Sequence, residues 1–584
     1  MAGRTSEGSR AGLSLWSEAL AAAIGAQAAR EWRGSPLHLA SLARPAAKGF
    51  AASLHDLRPA DANVGAAIVG GVFRLAGETL ILDEDGDPWT RASPSRRFAE
   101  ALHQFEWLPH LMAADGGARE ARRLTLGWQR VFGRWNRFAW DLSVLERRVF
   151  NLACAGRAMT AEDDAGALAQ GLARQGRFLL DTIHASPRAA ERATAALAAG
   201  LSLGGPAGER LAARSLNKLE PALEQTIGSD GGHASRSPEA AMELLLDLRA
   251  VLDGFAQRSL SAPVTILRAA ERLSAAVRFF SLSDGRLPAL QGGAESDRAT
   301  VQAALARDDA DLELKSPNET TCAGFHRLDA AALQVVIDAA PPARGRFAAA
   351  ACGQPLAMEI LAGADRLITS SGWSSKAAAP QALRVAAGAS TATIGTGHVG
   401  AGLRGFPGRA LGPRLLGGVR TVEAHRRESE AGIWLDLAHS GWLARTGLVH
   451  ERRLFVDKAA GELRGEDRFV SKSGARASMI PIAIYFHVHP ETNASLARDQ
   501  RSVLLKGPSE VGWWLRNDAG EVTIEAGIHV MAERRRRSQV VVLRGRLRAD
   551  RGGRIRWKLA LAEAGLTGPP APTTPELVPR DWRF

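Results

Sequence analysis

Apolar residues recur along this chain with two different periods, and the change of period divides it. Between about residues 95 and 310 they return every three or four positions, the spacing that lines one face of a helix. Leu168, Leu172, Leu179 and Ile183 form one such face, Leu216, Leu219 and Leu223 another, and Ile266, Leu273, Val277 and Phe280 a third. Turn-forming clusters separate them at Ser186-Pro187, Gly204-Gly205-Pro206, Gly228 to Gly232 and Ser261-Ala262-Pro263. Successive amphipathic helices of similar length predict helical hairpins packed side by side. No repeat of fixed period accompanies them, so an ordinary solenoid is not supported. After about Thr320 the period becomes two. Val335 to Ile337, Leu356 to Ile360 and Arg366 to Thr369 predict strands. Ile482, Ile484, Phe486 and Val488 alternate with Ala483, Tyr485, His487 and His489; Val522 and Ile524 alternate with Glu521, Thr523 and Glu525; Ile555, Trp557 and Leu559 alternate with Arg554, Arg556 and Lys558. This patterning predicts an antiparallel sandwich with one face of each sheet solvated.

Ahead of the helices, residues 35–95 predict a small β element, with short strands at Ile68-Val69, Val72 to Leu75 and Thr79 to Leu82 and a loop at Asp83 to Pro88. The expected organisation is an N-terminal helix and small β element (1–95), a helical domain (96–315), a β-sandwich domain (320–563) and a Pro-rich tail (564–584). A chain of 584 residues is too long for one core, so more than one domain is expected.

Composition narrows the classes. The 74 Lys and Arg outnumber 62 Asp and Glu for a net charge of +12, yet the arginines are scattered. A basic surface that collects an acidic polymer and a plain Arg-rich composition both account for that. Three distant cysteines, Cys154, Cys322 and Cys352, make neither a disulfide framework nor a CxxC zinc module. Ala19 to Ala29 is short, alanine-rich and followed by charge, which predicts an amphipathic helix and no signal peptide. No run approaches the roughly 20 apolar residues of a membrane span. Nucleic-acid binding through the basic surface is a weak alternative, since no known binding module is present. There is one tyrosine, Tyr485, against 14 tryptophans and 18 phenylalanines.

The densest candidate chemistry lies in Gly228-Ser229-Asp230-Gly231-Gly232-His233-Ala234-Ser235-Arg236-Ser237-Pro238-Glu239. Its glycine pair permits positive φ and close approach of the backbone to a ligand. Ser237 and Pro238 read as N-cap and first position of a helix. His233 and Arg236 therefore stand in a tight turn beside the positive end of a helix dipole, a place that suits a carboxylate or sulfate. His233 has a side chain poised for proton transfer near neutrality, or it braces the loop. Arg236 pairs a ligand carboxylate bidentately, or it pairs with Asp230 or Glu239. A second group lies at Trp135, Trp140, Arg148 and Asn151. Trp135 and Trp140 have the flat faces that stack on sugars, and Arg148 and Asn151 share a helical face at i, i+3; the alternative is a core helix with buried tryptophans. His487 and His489 have i, i+2 spacing that suits zinc, but no third ligand stands near them in sequence, which favours a structural pair. His326 and His439 are weaker candidates, and Arg534 to Arg537 reads as a solvated turn.

Taken in order, several segments resemble the heparinase II/III family of polysaccharide lyases, over roughly Trp128 to Leu559. They are Asp230-Gly231-Gly232-His233 with Arg236-Ser237-Pro238; Phe279-Phe280, Asp284-Gly285 and Gly292-Gly293-Ala294-Glu295; Trp434 to Trp442; Arg452 to Phe455; Leu463 to Asp467; and Phe486-His487-Val488-His489-Pro490. The resemblance implies a multidomain α+β chain, an incomplete α/α toroid followed by an antiparallel β-sandwich. It implies β-elimination on a uronate-containing acidic polysaccharide, with His233 and Arg236 catalytic and Asn151, Arg148 and Trp135 on the substrate. That chemistry needs a base at the carbon α to the carboxylate, an acid at the leaving oxygen and a group that neutralises the carboxylate. It also implies the periplasm or cell envelope, although no signal peptide is visible, which leaves the cytoplasm open. The chain departs from the family where tyrosine is common, with Phe325 and Trp442. It departs again at Ala348 to Pro355 and at Ala389, where sandwich histidines are usual. No cofactor is expected, and a zinc site like the family's lacks those histidines. A carbohydrate-binding relative that has lost catalysis is the alternative to a working lyase.

Overall fold

A computed structural model describes residues 3–562, apart from 84–85, 162, 184–185, 307–319, 375–380, 473–476 and 532–533, with side chains from residue 14 onward. The expected tail at 564–584 lies outside the described residues.

Helices occupy the first half. Ala189–Ser202 is the axis of the packing: every residue but Arg192 is buried. It touches Leu142–Ala155, Ala165–Leu180, Gly205–Thr226 and Pro238–Gln257. Its alanines let the neighbours come close, and Gly200 shows how close, since a Cβ there would stand 2.5 Å from the Ala212 backbone nitrogen. The helical segment predicted at Ala19 to Ala29 is part of a longer helix, Gly3–Gly34. Val72–Leu75 and Glu78–Ile81 pair as the expected antiparallel hairpin. Ile68-Val69 is not a strand but the end of the helix Ala62–Val69, capped by Asp61. A two-residue apolar run carries no period, and here the cap decided. Leu42, Ile68, Phe73 and Leu75 belong to the same buried cluster as Leu145, Leu197 and Leu244. The N-terminal element packs into the helical core.

Two antiparallel sheets follow. One is 8-stranded, in the order Val422–Glu428, Gly432–His439, Leu448–Asp457, Glu462–Ser471, Gly553–Leu561, Gly512–Asn517, Val503–Lys506 and Asn493–Leu496. The other is 9-stranded, with Glu521–Met531, Arg534–Arg548, Met479–Val488, Asp365–Thr369, Met358–Ala362, Leu333–Asp338, Phe325–Ala330 and Thr321–Cys322 in line, and Ala392–Ile394 pairing Met479–Val488. The first sheet keeps the expected alternation: Leu448–Asp457 buries every second residue. The second does not. Leu333–Asp338, Met358–Ala362 and Asp365–Thr369 are buried at every position. One of their faces meets the other sheet through Val335, Ile337 and Ile360. The opposite face, with Val336 and Leu361, joins the helical core. The helical domain covers the face that the alternation alone would leave in water.

The sandwich encloses a charged network. Asp467, fully buried, accepts from His450 Nε2 at 2.8 Å, Arg452 Nε at 2.8 Å and Trp557 Nε1 at 3.0 Å. His450 Nδ1 stands 3.1 Å from His439 Nε2, which places His439 in this core network and not at a surface site.

Candidate functional site

The loop before Pro238–Gln257 is built from its own backbone. Gly228 N donates to Gly232 O at 2.8 Å, and Ala234 N to Thr226 O at 2.7 Å. Gly231 needs its missing side chain: its φ is +82° and a Cβ would fall 2.1 Å from Arg272 O. Ser237 caps the helix as expected, its Oγ accepting from Ala240 N at 3.3 Å, with Pro238 next. Asp230 accepts from Gly232 N and, through its other oxygen, from Ala323 N at 2.7 Å.

Arg236 is engaged by the sandwich. Its guanidinium donates to the carbonyls of Ala323 (2.8 Å), Ala340 (3.1 Å), Pro341 (3.0 Å) and Gly324 (3.3 Å) and to Asp338 Oδ1 (2.6 Å), over the ring of Phe325. The expectation that it works on substrate gives way to a structural role: Arg236 and Asp230 bolt the loop to the sandwich. The helix end is not vacant for an anion either. Glu239 stands in its first turn, where a carboxylate complements the dipole, and accepts from Ala294 N at 3.1 Å.

His233 does face a cleft, and its tautomer is set by the loop. Ser237 N donates to Ser235 Oγ at 3.3 Å, and both Ser235 N (3.1 Å) and Ser235 Oγ (2.6 Å) point at His233 Nδ1. Nδ1 therefore holds the lone pair and Nε2 the hydrogen. Nε2 lies 3.8 Å from Glu191 Oε1, beyond hydrogen-bond range. Burial, with Arg188 nearby, pushes His233 down to about 3. Burial raises the Glu191 carboxyl against the pull of Arg188. The cleft holds about 350 Å³ and is lined by Arg188, Glu191, His233, Glu239, Phe347 and Trp373, among others. Through Arg188 and Glu243 it borders a second hollow of about 520 Å³ in the helical domain. The guanidiniums there are engaged: Arg188 Nε with Glu146 at 3.0 Å, Arg147 with Asp56 and Asp247, and Arg58 with Asp56, Glu243 and Asp247.

The other expected substrate contacts lie elsewhere, outside the cleft lining. Arg148 is wholly buried and gives its hydrogens to Gln175 Oε1, His103 O and Ala139 O, over the ring of Trp128. Asn151 Nδ2 donates to Gln104 O and Phe105 O, where a helix ends at a left-handed Phe105. Trp135 packs on Gly34 of the first helix, and the Trp140 indole donates to Phe132 O. All four are pieces of the helical core. Tyr485 lines a separate hollow on the sandwich with Thr393 and Arg544.

His487 and His489 do not share a ligand. His487 bonds Ser371 Oγ and Ala387 O. His489 instead meets two residues that sequence spacing does not single out. Its Nε2 is 3.1 Å from Glu295 Oε2, and His529 Nε2 is 2.8 Å from the same oxygen. These three are, among the described residues, a group close enough to share a metal ion. Two of the three donors are already committed, although His529, whose Nδ1 faces Ser370 O at 2.8 Å, offers an Nε2 lone pair when its ring is neutral. His489 Nδ1 accepts from Glu491 N at 3.3 Å, so its Nε2 carries hydrogen and no lone pair. Arg286 bonds Glu295 Oε1 at 2.8 Å, and Arg366 stands 3.9 Å from Oε2. Burial opposes ionisation of Glu295, but Arg366 and the two histidines hold its carboxyl well below the usual range. The group is an ion-paired lock between the helical domain and the sandwich.

One consequence is acid sensitivity. His233 and His103 are pushed to about 3 and His487 to about 4, each chiefly by burial. These rings stay neutral when folded, while in the unfolded chain they titrate near 6.5. Below that pH the unfolded state binds more protons, so stability falls as pH drops from about 6.5 towards the folded values, by about 1.4 kcal/mol per pH unit for each ring. Thermal midpoints measured between pH 7 and pH 4 should fall steadily, and His233→Gln should flatten that slope; an unaltered slope contradicts the assignment.

Residues 314–558 match the heparinase II/III-like C-terminal domain family. FtsZ-localized protein C of Caulobacter vibrioides is 45% identical over 560 residues, covering 94% of this chain and 96% of that protein. Among solved structures, heparinase III superposes with a TM-score of 0.63 at 14% identity, over 83% of this chain and 80% of that one. A heparan sulfate lyase from Pedobacter heparinus superposes with a TM-score of 0.52 at 14% identity, over 87% and 84%. The toroid and sandwich are those of the lyases, and among the described residues no helix is long and apolar enough to cross a membrane. By sequence and by fold, the chain belongs to the heparinase II/III-like family.

Proposed function

We propose that this chain is a heparinase-fold protein that binds in its cleft without eliminating uronates, and that it acts where FtsZ assembles, as the name of its Caulobacter relative describes. The observation that carries the first half is the state of His233. An imidazole whose one lone pair, on Nδ1, is occupied by Ser235 and whose Nε2 bears hydrogen has no free base nitrogen to take the proton α to a carboxylate. The one tyrosine lines a different hollow, so no phenol stands in the cleft to protonate a leaving oxygen. Arg236, the residue expected to neutralise the carboxylate, is spent on Asp338 and four carbonyls. The extent of the match to the FtsZ-localized protein supports the second half. It favours a place with FtsZ over the periplasm.

One feature favours the rival reading, a working lyase on acidic polysaccharide: Glu191 and His233 stand as a facing carboxyl and imidazole at 3.8 Å in the cleft. In that reading Glu191 takes the proton. Two experiments divide the readings. Incubation with heparan sulfate, heparin and alginate should give no ultraviolet absorbance from unsaturated uronate product. A fluorescent fusion should gather with FtsZ in dividing cells; a diffuse or peripheral signal argues against the division-site assignment.

A further inference from the structure

The cleft at His233 holds three buried polar atoms with no hydrogen-bond partner among the described residues: Glu191 Oε2, His233 Nε2 and Trp373 Nε1. Glu191 is 3% exposed, and His233 and Trp373 are each 4% exposed. All three line the same 350 Å³ cavity. Native proteins rarely leave such atoms unpaired, and several in one cavity point to a ligand.

We infer that this cleft takes an uncharged sugar and not the acidic glycan of the family's lyases. The inference rests on the proposed reading of the cleft as a binding site. Three features carry it. The first is the donor pattern. His233 Nε2 bears hydrogen because Nδ1 is held by Ser235, and an indole nitrogen only donates. Glu191 Oε2 accepts. The ligand must offer oxygen to two donors and a hydrogen to a carboxylate. The hydroxyl and acetamido groups of a sugar do both, whereas the carboxylate or sulfate that marks an acidic glycan only accepts and so cannot meet Glu191.

The second is charge. Among the described residues, Glu191, Glu239 and Glu243 line the cavity against one guanidinium, Arg188. Arg188 is bound to Glu146 through Nε at 3.0 Å and stands 3.5 Å from Glu191. The helix end, which sequence alone offers to an anion, already has Ser237 as its cap and Glu239 in its first turn. An incoming polyanion would meet carboxylates in a poorly screened space and, among the described residues, no uncommitted cation. The third is shape. Phe347 and Trp373 provide ring walls. A volume of 350 Å³ lies at the small end of the about 300–1,000 Å³ range of small-molecule sites, room for a short saccharide end.

The test is calorimetric titration of the full chain with three probes of equal length: the trimer of N-acetylglucosamine (neutral), the trimer of glucosamine (cationic) and a sulfated heparan trisaccharide (anionic). The neutral trimer should bind. Trp373→Phe, which keeps the ring and removes the N–H, and Glu191→Gln should each weaken binding about tenfold, the loss of one buried hydrogen bond. Far-ultraviolet circular dichroism of both variants should match that of the parent chain. Tighter binding of the anionic or the cationic trimer, no binding of the neutral trimer at millimolar concentration, or an affinity indifferent to both substitutions overturns the inference. An anionic trimer that binds more tightly than the neutral one and stays intact overturns only this inference. An anionic trimer that is cleaved to an unsaturated product overturns the proposed function as well.

Discussion

Glu295→Ala should destabilise the folded chain by about 3–5 kcal/mol, the usual cost of breaking a buried ion pair from one side. Glu295 has no exposed surface, and four cationic or hydrogen-bearing groups converge on it: Arg286 at 2.8 Å, His529 at 2.8 Å, His489 at 3.1 Å and Arg366 at 3.9 Å. Arg366 is itself buried and also bonds Asp284 and Glu359. Removing Glu295 leaves positive charge in a space that water does not reach. The effect has a place as well as a size, because Glu295 lies in a loop of the helical domain while His489 and His529 belong to the sandwich. Hydrogen exchange should show the extra opening at that junction first. The pH dependence follows from sign. The Glu295 carboxyl is held below its unfolded value, so its contribution is present above about pH 4.3 and is lost as pH falls towards the folded value. Glu295→Ala should therefore cost most at neutral pH and less in acid. A variant with the parent's urea midpoint would show that the lock carries no stability.

Asp467→Ala should cost a similar amount, about 3–5 kcal/mol, but in the middle of the sandwich. Its two oxygens serve His450, Arg452 and Trp557. Without it the Arg452 guanidinium, also wholly buried, keeps, among the described residues, only the carbonyls of Leu356 and Ser390. Burial opposes ionisation of Asp467, but Arg452 and His450 hold it below the usual carboxylate range, so the native charge is settled at neutral pH. The near-ultraviolet signal of Trp557 should change along with the midpoint. An unchanged midpoint with an altered tryptophan signal would mean that the core repacks around the loss.

The two periods of the apolar pattern carried most of the fold, because each is a local consequence of one buried face. Ser237-Pro238 marked a helix start for an equally local reason, a side chain bonding an amide three residues on. What the pattern missed was set at long range. Leu333–Asp338 is buried on both faces because the helical domain lies on it, which no alternation within the strand records. Arg236 stands beside Asp230 and Glu239 in sequence, but its carboxylate partner is Asp338, 102 residues away. Arg148 and Asn151 do share a helical face, and that face turns to the core, where carbonyls near the end of another helix need donors. Glu295 and His529 are 234 residues apart and carry no motif between them. His233 was visible because a glycine-rich turn needs few distant partners to take its shape. Its tautomer was not, since that depends on where the Ser235 hydroxyl points.

The central claim is that the lyase scaffold here has kept its cleft and lost its elimination chemistry. The most direct test is continuous ultraviolet absorbance of the full chain with heparan sulfate, heparin and alginate, alongside an active family lyase as control. The expected result is no unsaturated product above the protein-free rate, for the parent chain and for Glu191→Gln and His233→Gln alike. Product from the parent chain that disappears in either variant would contradict the account and make Glu191 and His233 the working pair of a lyase.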